Sequence, residues 1–185
     1  METCRLSILP EITIMSYNFW ILLFTGCYCL ATLSCNAGTP PLEAVKIDSI
    51  VVIKHKREMQ AYSKQALLMT YKIALGKQPV GPKQVQGDMR TPEGLYHING
   101  KNPNSGYFKN LGISYPNAKD RKVAAKLGKP PGGDIKIHGL PNGQGYIGSM
   151  HRLKDWTHGC IAVTNDEMDE LYQSINVGTV VYILP

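Results

Sequence analysis

Residues 133–141 read GDIKIHGLP, and residues 155–172 read DWTHGCIAVTNDEMDELY. The first stretch is a short β-branched run flanked by glycines. It predicts a buried strand over 135–137 that ends at His138-Gly139. The second stretch makes a glycine turn and then enters a helix predicted over 166–175. Thr164 and Glu167 have capping-box spacing, so the hydroxyl can accept from first-turn N–H groups. The acidic run at 166–170 reads as a solvated first helical turn, favoured by the helix dipole. A glycine-rich loop, 140–149, joins the two stretches.

Working outward, the apolar runs 47–53, 58–62 and 67–75 predict a three-stranded meander, with the basic turn KHKR between the first two. A Gly/Pro/Gln loop follows over 76–87. Thr91-Pro92-Glu93-Gly94 reads as a tight turn, in which Pro presets φ and Gly follows. A short strand is predicted at 95–98, then a loop at 99–106 and a mixed segment at 107–115. A helix fits 117–127, with Asn117 as its cap and Gly128 closing it. The final strand is predicted at 179–184. No internal repeat is present. The sum is a mainly β single domain over 46–185, a mixed-sheet or barrel-like arrangement with two short helices.

Composition agrees. The chain has 185 residues, of which 43% are hydrophobic and 18% charged, with 18 Gly and 12 Pro. That is too little charge for a long-helix or coiled-coil protein and enough apolar material to oppose disorder. The net charge of +6 favours encounters with acidic surfaces. No Lys/Arg run is interleaved with aromatics, so nucleic acid is not an expected partner.

The first 37 residues differ from the rest. Residues 19–33, FWILLFTGCYCLATL, carry no charge. The run is short for a membrane span and suits a signal-peptide core. Cys35 and Ala37 stand at the −3 and −1 positions of a cleavage after Ala37. Residues 1–37 hold one base and two acids, so the remainder has 19 bases, 12 acids and a net charge of +7. The expectation is a leader over 1–37, a Gly/Pro linker over 38–45, and an exported domain in the periplasm or cell envelope. Two other fates stay open: lipidation at Cys27, because FTGC resembles a lipobox, and an uncleaved anchor. Any membrane contact is expected through the leader alone. Four of the five cysteines lie in that leader, which leaves Cys160 as the lone thiol of the domain.

A lone cysteine is a buried small hydrophobe, a ligand or a nucleophile. As a nucleophile, Cys160 needs a partner that removes its proton. His138, held at its second ring nitrogen, can act as general base and then acid. Gly159 lets the backbone pass close to a substrate, and N–H groups around Gly159 and Cys160 can form an oxyanion hole. IHG, a glycine-rich loop and THGC resemble the active-site signature of the L,D-transpeptidase (YkuD-type) family. So do GDMRTPEGLYHI at 87–98 and GGDIKIHG at 132–139. The resemblance covers about residues 46–185.

It implies a YkuD-like β-rich domain with Cys160 as nucleophile and His138 as base. Gly139 then sits where a backbone carbonyl orients the ring, and Thr157, His158 and Gly159 shape the groove and oxyanion site. The implied substrates are peptidoglycan stem peptides. The thiol attacks a tetrapeptide stem and releases D-Ala, and an amine then takes the acyl group. The products are 3–3 cross-links or a wall-attached lipoprotein. No metal or organic cofactor is implied, and slow acylation by carbapenems is. Two departures stand out: 18 residues separate His138 from Thr157, and Ala162 stands where many members carry a polar residue.

Hydrolysis by the same Cys–His site is the alternative reaction, and a catalytically silent wall-binding module is the alternative class. Zinc held by His138, His151, His158 and Cys160 is a further reading, disfavoured by the ligand spacing. His151 is expected at the surface, Trp156 as a packing anchor, and Asp155 as a residue that holds the loop. Intact-mass analysis of protein from the envelope fraction should show a chain shortened at its leader. A full-length cytoplasmic chain would contradict export.

Overall fold

The computed structural model describes residues 46–185. The leader and linker expectations lie outside the described residues. The domain is mainly β: β1 (Ile47–Ile53), β2 (Glu58–Ser63), β3 (Ala66–Lys72), β4 (Gly94–Ser105), β5 (Phe108–Ile113), β6 (Lys136–His138), β7 (Ile161–Ala162) and β8 (Ile175–Leu184). They form one curled mixed sheet in the order β3-β2-β1-β8-β4-β5-β6-β7. The two α-helices read from the sequence are both present, α1 (Ala118–Lys126) and α2 (Asn165–Ser174).

The sheet has two halves joined by β4. Its first residues, Gly94 to His97, pair with β8, and from Ile98 onward it pairs with β5. The core lies inside the curl. It is built from the inward sides of β1 (Ile50, Val52), β4 (Tyr96, Ile98), β5 (Leu111, Ile113) and β8 (Val181, Ile183), closed by Met168 and Leu171 of α2. Alternate residues of a strand face opposite sides, which is why every second position is buried.

Both helices begin on a capping box. Asn117 accepts from Lys119 and Asp120 N–H groups, and Asp120 returns a bond to the Asn117 N–H. Asp120 also accepts from the buried Tyr96 hydroxyl at 3.0 Å, tying α1 to the sheet. Thr164 and Glu167 make the second box. Gly128, at φ +64°, ends α1 in the left-handed region where Gly carries no Cβ penalty.

Several elements differ from the sequence reading, among them the last strand, which begins at Ile175 rather than 179, and β7, for which the sequence predicts no strand. Residues 99–105 are strand rather than loop. Pro103 falls in a register shift between Asn102 and Ser105, so its missing N–H removes no ladder bond. The third strand stops at Lys72. Beyond it the chain leaves β2, and Ala74 and Gly76 instead bridge Ala162 and Thr157. The loop after His138-Gly139 contains a 3-10 segment, Gly145–Leu153, kinked at Gly148.

Lys54, 2% exposed, pins the loop that follows β3. Its ammonium donates to Gly81 O at 2.7 Å, Thr91 O at 3.1 Å and Glu93 Oε1 at 2.7 Å. Burial pushes its pKa down, the Glu93 carboxylate opposes that shift, and the nearby Arg90 and Arg57 charges add to the lowering. Lys54→Met would strand Glu93 and two carbonyls, at a cost of roughly 3 kcal/mol. The urea midpoint should fall with an unchanged m-value. An unshifted midpoint would contradict this anchoring role.

Candidate active site

The site is built on the two shortest strands. β6 and β7 run parallel, with Ile137 opposite Ile161 and His138 opposite Ala162. Cys160 immediately precedes β7, level with Lys136, whose backbone N–H bonds toward the thiol. The thiol also faces Asp134 O, 3.6 Å away. His138 and Cys160 open on one groove of about 170 Å³, walled by Ser105, Tyr107, Asp134, Trp156 and His158. A polymeric substrate can place only its reacting end in so small a space. Larger grooves, of about 620 and 330 Å³, flank it.

The loop that carries Cys160 is held from both sides. Thr157 Oγ1 donates to Cys160 O at 2.8 Å and accepts from Gly159 N–H at 3.1 Å. Gly159 lies at φ +127°, and a Cβ there would sit 2.6 Å from Arg90 O. Only glycine fits that conformation and that close approach. Asp155 accepts from Leu75 N–H at 2.8 Å and from Arg57 through both oxygens. Thr157 N–H donates to Leu75 O, and Lys77 N–H to Thr157 O. This network explains why β3 ends early: residues 73–77 serve as the neighbour of the loop that carries Cys160.

His138 is buried, and its Nδ1 is 2.7 Å from Gly139 O. A carbonyl only accepts, so Nδ1 carries the proton and Nε2 is left with its lone pair free. Gly139 cannot gain a side chain, because a Cβ would meet Asn165 Oδ1 at 2.6 Å. That same oxygen accepts from Leu140 N–H at 2.9 Å, fixing the turn after His138. Burial lowers the His138 pKa and raises that of the Cys160 thiol. At neutral pH the resting pair is therefore thiol plus neutral imidazole.

Several positions differ from their sequence reading. The Gly159 N–H, expected at the oxyanion site, is taken by Thr157. Among the described residues, the His158 and Cys160 N–H groups have no protein acceptor, and they remain for that role. His151 is buried rather than exposed, with its pKa pushed down to about 4, first by burial and then by Arg152. It packs edge-on against Trp156, whose other neighbours are Tyr107 and His138. Trp156 thus both packs and walls the groove. The acidic run is not simply solvated: Glu167 binds Arg152, Asp169 binds Lys109, and Met168 is core. Asn165, Tyr107 and Arg57 carried no motif, and only the three-dimensional arrangement brings them to the site.

Comparison with known proteins agrees with this geometry. A model of the YkuD L,D-transpeptidase catalytic domain matches residues 47–183. The chain belongs to the YkuD L,D-transpeptidase family. YafK of Escherichia coli (strain K12), itself named for the L,D-transpeptidase class, is 33% identical over 142 residues, covering 74% of this chain and 50% of YafK. Pgp2, a helical cell shape determining protein from Campylobacter jejuni, superposes with a TM-score of 0.57 at 26% identity, covering 76% of this chain and 48% of Pgp2. Bd1075 of Bdellovibrio bacteriovorus shares the fold, with a TM-score of 0.52 at 24% identity over 77% of this chain and 49% of Bd1075. The YkuD chain described here spans about half the length of these relatives.

Two outcomes follow from the site's geometry. Iodoacetamide should alkylate Cys160 with a rate that climbs with pH, through a midpoint above the ordinary thiol range. A high plateau from pH 5 to 7 would mean a preformed thiolate–imidazolium pair and contradict the neutral resting state. Thr157→Val keeps the side-chain shape but deletes both hydroxyl bonds, so it should lower Cys160 acylation by about tenfold or more while the domain stays folded. Wild-type acylation in that variant would show that the hydroxyl staple does not position the thiol.

Proposed function

We propose that the domain is an exported peptidoglycan acyltransferase that forms a thioester at Cys160. One observation carries the reading: the Gly139 carbonyl holds His138 Nδ1–H, leaving Nε2 to serve the thiol that shares its groove. Both groups rest neutral, so proton removal and attack are coupled. His138 Nε2 takes the thiol proton as sulfur attacks the carbonyl of a stem-peptide residue. The His158 and Cys160 N–H groups, which bond no protein acceptor among the described residues, bind the oxyanion that develops in this reading. His138 then returns the proton to the departing D-Ala nitrogen, and the thioester remains.

An amine completes the reaction by attacking the thioester carbonyl. Its proton passes through Nε2 to the leaving thiolate, which regenerates the thiol. Acceptors are a second stem, giving a cross-link, or a wall-attached protein. Ala162 contributes no polar group to the groove. It is fully buried, and both its backbone groups bond Ala74. Hydrolysis is the second reading, because the groove is open to solvent and water can reach the same thioester. Carbapenems should acylate Cys160 by the same attack.

The full-length protein, incubated with a disaccharide-tetrapeptide, separates these outcomes by mass spectrometry. Transfer predicts a dimer lighter than two monomers by one released D-Ala. A tripeptide monomer plus free D-Ala would replace transfer with hydrolysis. Cys160→Ala should abolish both, and retained activity in that variant would discard the mechanism.

A further inference from the structure

The side of the sheet that carries His138 continues past it as a row of asparagines. Asn110 of β5 is paired with His138 of β6 on one flank and with Asn102 of β4 on the other. Directly opposed residues of neighbouring strands point to the same side of a sheet, so these three share a side. Gly100, Gly112 and Lys136 form a second row, two residues along each strand. The register shift between Ile98 and Gly100 turns Asn99 onto this side as well. A Cβ at Gly112 would lie 2.3 Å from Asn99 Oδ1, so glycine there leaves room for that amide. The asparagines and glycines line the flanking groove of about 330 Å³, which shares Asp134 and Lys136 with the groove of His138 and Cys160.

Asn110 is the informative member. It is only 5% exposed and lines the groove, yet its side-chain amide has no hydrogen-bond partner among the described residues. Asn117, Asn142 and Asn165, by contrast, each hold a cap or a turn. Buried polar groups are ordinarily paired, so an unpaired one aimed into a groove marks a place that a ligand completes. The Asn99 amide also lacks a hydrogen-bond partner among the described residues, and Asn102 uses only its oxygen, which accepts from Asn104 N–H. A side-chain amide offers donors and an acceptor without charge. Three of them together match a neutral ligand dense in hydroxyl and acetamido groups.

We propose that this groove binds the N-acetylated sugar that bears the stem peptide of the acyl donor. The inference rests on the acyl-transfer reading above and concerns a part of the donor that the reaction leaves untouched. Length supports the assignment. The carbonyl attacked by Cys160 belongs to the third stem residue, so three residues lie between the thiol and the sugar. Three extended residues cover about 10 Å. From β6 across β5 to β4 is two strand spacings, again about 10 Å. The stem therefore crosses the sheet from His138 and delivers its sugar to the asparagines of β4 and β5. Gly100 and Gly112 keep the floor flat, so a ring can lie on it. Binding energy gained here, away from the reacting atoms, holds the scissile carbonyl at the thiol.

The test follows acylation of Cys160 in the full-length protein by intact mass. It compares N-acetylmuramyl-tetrapeptide with the N-acetylated tetrapeptide, which lacks the sugar, both below saturation. Wild type should react about tenfold faster with the sugar-bearing donor, the scale of one or two added hydrogen bonds. Asn110→Leu keeps the size of the side chain and removes the amide, and it should bring that ratio to about one. Gly100→Val probes the same groove without removing an amide. A Cβ at Gly100 meets nothing within 4 Å, so the strand accepts valine and its side chain occupies the floor. It too should bring the ratio to about one. A wild-type ratio near one, or a ratio that survives in either folded variant, would overturn the sugar assignment alone. That includes an equal loss with both donors in Asn110→Leu, where the amide would be reading the peptide. No acylation of Cys160 by either donor would overturn the acyl-transfer reading and this inference with it.

Discussion

The pairing of two very short strands is the constraint on which the site depends. β6 has three residues and β7 has two. Their parallel register puts His138 and Cys160 on a common groove. Two strands of that length have little stability of their own, because few bonds offset the entropy of ordering them. The surrounding structure supplies the rest. β5 covers the free edge of β6, and residues 73–77 cover β7. Asp155, Thr157 and Asn165 then lock the turns that enter and leave the pair.

This arrangement explains a division of labour between core and site. The half of the sheet built from β1, β2, β3 and β8 supplies hydrophobic stability through the buried faces of β1, β2 and β8, while β3 is mostly exposed and buries only Tyr71. The half that ends in β6 and β7 carries the groove that His138 and Cys160 share. It is held by specific polar contacts: a threonine hydroxyl, an asparagine amide and an Arg–Asp pair. Charged groups near the centre are matched in the same manner. Lys54 is buried against a carboxylate and two backbone carbonyls and Lys83 against a carboxylate and one, and they fix the loop whose Arg90 carbonyl abuts Gly159.

Much of this was legible in the sequence, for identifiable reasons. β1 was readable to the residue because its β-branched apolar run is strong and its ends are clear. Both helices were readable because their ends are local signals: Asn117 and Gly128 for α1, and Thr164 with Glu167 for α2. The His138 and Cys160 stretches stood out because glycine flanks each. What was hidden depends on contacts distant in sequence. Residues 99–105 look like a loop because Pro103 sits in a bulge. Residues 73–75 look like ordinary strand, although their partners are about 80 positions away. His151 looked exposed beside Arg152 and Lys154, yet the kink at Gly148 turns it under Trp156. The Gly159 N–H looked free until the Thr157 hydroxyl was located.

Cys160 rests as a thiol beside a neutral His138 whose Nδ1–H is held by the Gly139 carbonyl. Nitrogen-15 NMR of the histidine rings reads this directly. At pH 7 His138 should show a protonated Nδ1 and a bare Nε2, and Cys160→Ala should leave that tautomer in place. An imidazolium at pH 7, or a proton on Nε2 with Nδ1 bare, would contradict the account.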